Sequence, residues 1–382
     1  MSEREGFSPG LEGVIATDTQ VSFLDLNTEQ IIVRGYDLIE LARTVAYPDI
    51  AYLLLHEDLP TAEQRTAFDL ELRDDAALPP GMEALFRALP PGMDAMDTLR
   101  TGLSALSGFE DPRVLADTSH EANLAKATRI LARAPAVAVN GYRATNSLEL
   151  VQPDPELGFV ANFLHMIPGP AADEDAVAVF DRVLTCYSEH ELANSSLTAR
   201  VVASTLADIY GAIVAATASL KGPLHGGANE AAAVMFSEIT SQGGSSVAEA
   251  YVLDKLARQQ RIMGFGHRVY MHRPDPRAVL LIEDLERLRN RRPDAADLLR
   301  SYEICAATME REKGLYPNAD LPIGLLMYLL DIPIDLFTPI FLCARTAGLV
   351  AHVIEQHDHN RLYRPRVLYD GPRDKHPTDP SA

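Results

Sequence analysis

Cysteine is scarce in this chain of 382 residues: Cys186, Cys305 and Cys343 stand far apart, odd in number and without a CxxC pair. That argues against a disulfide framework or a zinc knuckle and points to a reducing cytoplasm. Positive charge is also short. Thirty-four Lys and Arg face 54 Asp and Glu, a formal net charge of −20, and such a field repels nucleic acid and anionic membrane surfaces. Neither is expected as a partner, and an anionic ligand must be held by a local cation cluster. The opening MSEREGFSPG has no apolar core of the kind a secretory signal needs. Unbroken apolar runs are missing too. Asp208 interrupts residues 196 to 220, and Asp331, Pro333, Asp335 and Pro339 break residues 321 to 354, so both read as buried helices rather than membrane spans. No GxxxxGK phosphate loop and no GxSxG elbow occur. His-Glu pairs at 56–57, 120–121 and 190–191 lack the further histidine of a zincin, and His357 and His359 read as a solvated helix end. No metal or cofactor is expected.

What is present describes a mainly α protein. The apolar fraction of 47% and charged fraction of 23% are ordinary for a globular chain, and the length favours two domains. Alternating strand patterns are few, and apolar residues recur mostly at helical spacing. The clearest run is SSLTARVVASTLADIYGAIVAATASLKGP, where Val202, Leu206, Ile209, Ile213 and Leu220 form one stripe. With Asn194 or Ser195 as cap and Lys221, Gly222 and Pro223 as stop, it predicts one helix of about 25 residues, roughly 37 Å long. Further helices are predicted near 36–45, 47–57, 61–74, 94–107, 120–133, 173–190, 228–239, 246–260, 277–289, 294–312, 321–330 and 335–355. GVIATDTQVSFLD reads as a small β-hairpin. Proline and glycine mark loops at 79–92, 152–170, 221–227, 241–244 and 363–377.

Three constellations stand out. In KGPLHGGANE, His225 lies between a helix stop and a helix start; the positive end of the helix dipole disfavours its protonation, leaving a neutral hydrogen-bond donor. An ordinary loop histidine beside a glycine hinge explains the same letters. In RIMGFGHRVYMHRPDPRA, Arg261, His267, Arg268, His272, Arg273 and Arg277 crowd one glycine-containing turn, a pocket for multiply charged anions or else a solvated basic turn. GFG lacks the third glycine of a dinucleotide fingerprint. In EKGLYPNADLPIG, Asp320 precedes an apolar helix and suits either a proton-abstracting base or a plain N-cap. Downstream, Arg345, Arg364 and Arg366 are candidate carboxylate clamps.

Together, KGPLHGGANE, MGFGHRVY with DPRA, LYPNAD, DLFTPIF with CAR and IEQ, and NRL with RPR resemble the citrate synthase family over nearly the whole chain, in the compact bacterial and archaeal form. The resemblance implies an all-α homodimer, with a large domain at 1–227 and 327–382 and a smaller mobile domain at 228–326 that carries CoA and the catalytic aspartate. It implies that Asp320 removes a methyl proton from acetyl-CoA, that neutral His225 donates to the thioester oxygen, and that His267 polarises the oxaloacetate carbonyl. Oxaloacetate would meet His190, Arg277, Arg345 and, from the second subunit, Arg364. CoA would meet Arg268, His272, Arg273 and Lys313.

The chain departs from that pattern in four places. YSEHELANSS keeps only the second of two family histidines, with Tyr187 at the first. The stretch from His267 to Arg277 is longer by a residue, Met271 stands where a cation commonly meets CoA, and DLPIG replaces an aromatic-serine pair after the aspartate. A reshaped acyl pocket follows, so 2-methylcitrate synthase, which uses propionyl-CoA, is the near alternative. A non-catalytic paralogue that binds CoA or a dicarboxylate is the more distant one.

Overall fold

The computed structural model describes residues 7–25, 27–169, 172–267, 270, 273–373 and 375–377. Two strands of the opening sheet, β1 (Ser22–Asp25) and β2 (Gln30–Val33), pair antiparallel with Ser22 opposite Val33, and the short β3 (Tyr36–Asp37) pairs back onto β2. The predicted hairpin was set too early. Residues 13 to 20 form no strand, because Thr19 Oγ1 and Gln20 N both donate to the Glu355 carboxylate at 2.7 Å, which takes up the polar groups a strand partner would have used.

Asp37 accepts from Ile39 N and Glu40 N and so starts α1 (Leu38–Thr44), two residues later than the periodicity suggests. There follow α2 (Tyr47–His56), α3 (Ala62–Asp74), α4 (Met82–Arg87), α5 (Ala95–Leu106) and α6 (Pro112–Ala116). The chain continues through α7 (His120–Thr145), α8 (Phe159–Met166) and α9 (Glu174–Tyr187). Helices α4 and α8 sit inside segments that proline and glycine mark as loops, and α7 runs on through Pro135.

The long helix of the sequence reading is two. Helix α10 (Asn194–Ala203) stops where the Ser204 and Thr205 hydroxyls turn back onto the Val201 and Val202 carbonyls. Leu206 then takes φ +63°, and Asp208 starts α11 (Ile209–Leu220) by accepting from Gly211 N. The two helices fold back on each other, so that Ser219 Oγ at the end of the second reaches Asn194 Oδ1 at the start of the first. Asn194 is spent on that contact and caps nothing.

Helices α12 (Ala228–Gln242), α13 (Ala248–Ala257), α14 (Pro276–Arg287), α15 (Ala295–Lys313) and α16 (Asp320–Leu329) pack largely among themselves, α12 on α16, α13 on α15 and α14 on α16. Last comes α17 (Phe337–Asp358), the axis of the remainder, against which α2, α5, α7, α9, α10 and α11 pack. It is long and apolar enough to cross a membrane, yet its apolar window is wholly buried inside the protein. Arg345, Gly348, His352 and Glu355 recur on it at intervals of three, four and three, a polar stripe on an apolar helix.

Candidate active site

The end of α9 decides what lies under that stripe. The helix halts at Tyr187, three residues short of the predicted end, with Ser188 Oγ turned onto Thr185 O. Glu189, His190 and Glu191 therefore leave the helix: Glu189 faces α17, His190 turns to His267, and Glu191 accepts from Leu24 N of β1. Glu189 is fully buried and lies so close to Gly348 that a Cβ there would come within 1.9 Å of Glu189 Oε2. His352 Nε2 meets Glu189 Oε1 at 3.1 Å, and Ser22 Oγ donates to the same oxygen at 2.8 Å. On its other side His352 Nδ1 accepts from Arg200, which also pairs with Glu355. A guanidinium only donates, so the His352 proton sits on Nε2 and points at Glu189. Burial would raise the Glu189 carboxyl, but His352 and Arg345 outweigh it, and the group lies below the usual carboxylate range.

Arg345 crosses the same space. Its Nε donates to Tyr187 O at 2.6 Å and its guanidinium lies 5.0 Å over the Phe341 ring. Burial draws it down to about 10, which leaves it charged near neutral pH. Arg277, in the first turn of α14, is buried against Asp275. That carboxylate caps the helix through Arg277 N and binds Nε at 3.1 Å and Nη2 at 2.7 Å, while Nη1 donates to Cys186 O. A guanidinium has five N–H groups; among the described residues three find partners, and two remain for an anion.

His267 and Asp320 are brought together by backbone pairing. Gly266 N donates to Tyr316 O, Asn318 N donates to Gly264 O, and Phe265 and Pro317 bridge antiparallel. The Asn318 side chain fastens the pair, donating from Nδ2 to Gly266 O at 3.0 Å and accepting from Asp320 N at 3.1 Å. Gly264 has φ +85°, and a Cβ there would meet Leu321 at 2.8 Å, so the turn admits only glycine. Of the two readings of Asp320, the N-cap is not the one observed: Ala319 holds that position, and Asp320 is the first helical residue with its side chain turned to Tyr187 Oη at 2.7 Å. Burial raises the Asp320 carboxyl, opposed by the Tyr187 hydrogen bond and Arg277.

His267 stacks on Tyr270 at 4.8 Å and meets the edge of His190 at 5.1 Å. Burial and the Arg277 charge lower it to about 4, and the same two causes, with His267 and Arg345, hold His190 well below the ordinary histidine range. His190 Nε2 is buried and has no hydrogen-bond partner among the described residues. Across the site, His225 stands edge-on to Phe341 at 6.2 Å, and Phe341 stacks on Tyr187 at 4.1 Å. Ser195 Oγ lies 2.8 Å from His225 Nε2, and Ser195 N donates to the same nitrogen. Nε2 is thus an acceptor and the imidazole proton sits on Nδ1. His225 is lowered to about 4, by burial first and Arg345 second.

The fold thus gathers His190, His225, His267, Arg277, Asp320 and Arg345 around the Tyr187–Phe341 stack. Five other predicted residues stay apart from it, of which Arg261 and Arg366 are simply exposed. Arg273 is exposed and pairs with Glu29, Lys313 is exposed at the end of α15, and Arg364 is exposed after α17 with Nη1 on Pro365 O. Arg268 and His272 lie outside the described residues. Tyr187, Ser195, Asn229, Asp275, Phe341 and Asn318 are site residues that sequence reasoning missed as such. All six fall inside the quoted motifs. Asp275-Pro276 also carries the signature of a helix start. A cavity of about 1100 Å³ lies elsewhere, between residues 11–20 and the segment after α17.

Comparison with known proteins gives a consistent picture. The family model described as citrate synthase, C-terminal domain, matches residues 10–366. The chain is 46% identical to a citrate/2-methylcitrate synthase of Bacillus subtilis, covering 98% of this chain and 99% of that one. It is 44% identical to a citrate synthase of Heyndrickxia coagulans, covering 96% and 97%. Among solved structures, the citrate synthase of the thermophilic archaeon Thermoplasma acidophilum, in a ternary complex with carboxymethyl coenzyme A and oxaloacetate, superposes with a TM-score of 0.90. That likeness has 29% identity and covers 98% of this chain and 99% of that one.

Proposed function

Because this chain belongs to the citrate synthase family, we propose that it condenses acetyl-CoA with oxaloacetate and water to give citrate and CoA. One observation carries the reading: a buried carboxylate, two neutral imidazoles and two charged guanidiniums line one site. Asp320 takes a proton from the acyl methyl group. His225 donates its Nδ1 proton to the thioester oxygen as an enol or enolate forms, so charge does not build up unshielded in a largely dry site. His267 polarises the oxaloacetate carbonyl, which the new carbon nucleophile attacks, and hydrolysis of the resulting citryl-CoA drives the reaction forward.

The two imidazoles can play these parts because each is lowered to about 4 and is neutral at pH 7. The dianion oxaloacetate is drawn to Arg345 and to the two uncommitted N–H groups of Arg277, with His190 Nε2 beside them. These cations supply the attraction that a chain of net charge −20 otherwise lacks. The same proposal includes a homodimer, with Arg364 serving the second subunit's site and α12 to α16 closing on CoA near Lys313 and Arg273. A reducing cytoplasm suits the three free, buried thiols. No cofactor enters the scheme.

Asp320→Asn tests the reading. It keeps the shape and the Tyr187 contact but cannot take a proton. Turnover, followed as CoA release, falls at least roughly a hundredfold, the lower end of what a general base contributes, while oxaloacetate binding stays near wild type. Near-normal turnover would remove Asp320 from its role.

A further inference from the structure

The hydroxyl of Tyr187 has a direction that its neighbours dictate. Asn229 is fully buried, and its Oδ1 accepts from Glu230 N at 2.6 Å, which fixes the amide so that Nδ2 faces the tyrosine. Nδ2 donates to Tyr187 Oη at 3.1 Å. An amide NH₂ only donates, so the phenol must accept there and spend its single proton on its other neighbour, Asp320 Oδ1, at 2.7 Å. The ring cannot swing away. It is stacked on Phe341, buried to 2% exposure, and held at its own carbonyl by Arg345 Nε.

We propose that Tyr187 is a positioning residue that keeps Asp320 ionised and single-faced, donating its proton to Oδ1 so that Oδ2 alone receives the proton taken from the acyl group. The inference rests on the reading of Asp320 as the base. Its physical need is plain: a carboxylate in this buried position is driven toward its neutral form, which cannot act as a base. A charge-assisted O–H···O⁻ bond favours the ionised form, and it uses one oxygen while leaving the other to the substrate. The phenol is suited to donate without ionising, because burial raises it well above its ordinary range.

The test is the pH profile of kcat/KM for CoA release, with oxaloacetate and the acyl-CoA that the wild type turns over. Wild type is compared with Tyr187→Phe and with protein carrying 3-fluorotyrosine at position 187. Phenylalanine keeps the stack and removes the donor. Losing a hydrogen bond to a charged group then moves the acidic limb to higher pH by about one to two units, with the oxaloacetate KM changed less than about twofold. Fluorotyrosine is the more acidic phenol and the stronger donor, and it moves the limb to lower pH. A limb that stays in place in a folded Tyr187→Phe protein overturns the proposal. Should that variant not fold, a fluorotyrosine protein whose limb is unmoved or raised overturns it equally. Active Asp320→Asn would instead overturn the reading beneath it, whereas inactive Asp320→Asn beside an unmoved Tyr187→Phe limb sinks this inference alone.

Discussion

Replacing Arg345 by leucine isolates what the arginine does for oxaloacetate. The side chain is 2% exposed and touches Tyr187 O, the Phe341 face and the field of Glu189. Leucine restores much of the apolar contact but, on the proposed reading, leaves one substrate carboxylate without its cation. It also leaves the Glu189 carboxylate, whose Oε2 has no hydrogen-bond partner among the described residues, with His352 and Ser22 as its described partners. Truncating one member of a buried, hydrogen-bonded charge pair costs about 2–5 kcal/mol. For oxaloacetate that is a rise in Kd between roughly thirtyfold and several-thousandfold. The assay is calorimetric titration of the substrate-free variant with oxaloacetate, beside a thermal melt to establish that it is folded. A folded Arg345→Leu protein with Kd within about twofold of wild type would refute both the clamp and the charge argument behind it.

Two further outcomes follow from the same site. Because His225 and His267 sit at about 4 in the folded chain against 6.5 for an unperturbed histidine, the unfolded chain binds more protons between those values. Stability present above pH 6.5 is therefore lost as pH falls toward 4; urea unfolding at pH 7 and pH 5 should show a lower midpoint at pH 5, and equal midpoints would count against neutral buried imidazoles. For the acyl group, kcat/KM is expected to favour acetyl-CoA over propionyl-CoA, within the roughly five- to two-hundredfold that one methylene provides; a clear preference for propionyl-CoA would make the chain a 2-methylcitrate synthase.

The parts of the site legible in the sequence were those whose chemistry is local. His225 between a helix stop and a helix start, His267 behind two glycines and Asp320 before an apolar run could each be singled out from a short stretch, though each stretch also had a bland reading. Their partners do not. Tyr187 meets Asp320 and Asn229 across 133 and 42 residues of chain, and nothing in YSEHELANSS says that the tyrosine hydroxyl points at a carboxylate. The break between α10 and α11 was written in the sequence but outvoted. Asp208 lies three residues before Gly211, as an N-cap does, yet apolar spacing continues across STLAD and a periodicity count passes over the cap. The opening strands were misplaced for a tertiary reason, since Thr19 and Gln20 answer to Glu355 at the far end of α17.

The carboxamide of Asn318 reaches the backbone on both sides, to Gly266 and to Asp320. The imidazole and the acid it joins therefore ride on one rigid lever. The span between those two groups is thus preset by paired backbone and a single side chain. A slack version of that clip would let the two groups drift apart without touching either of them.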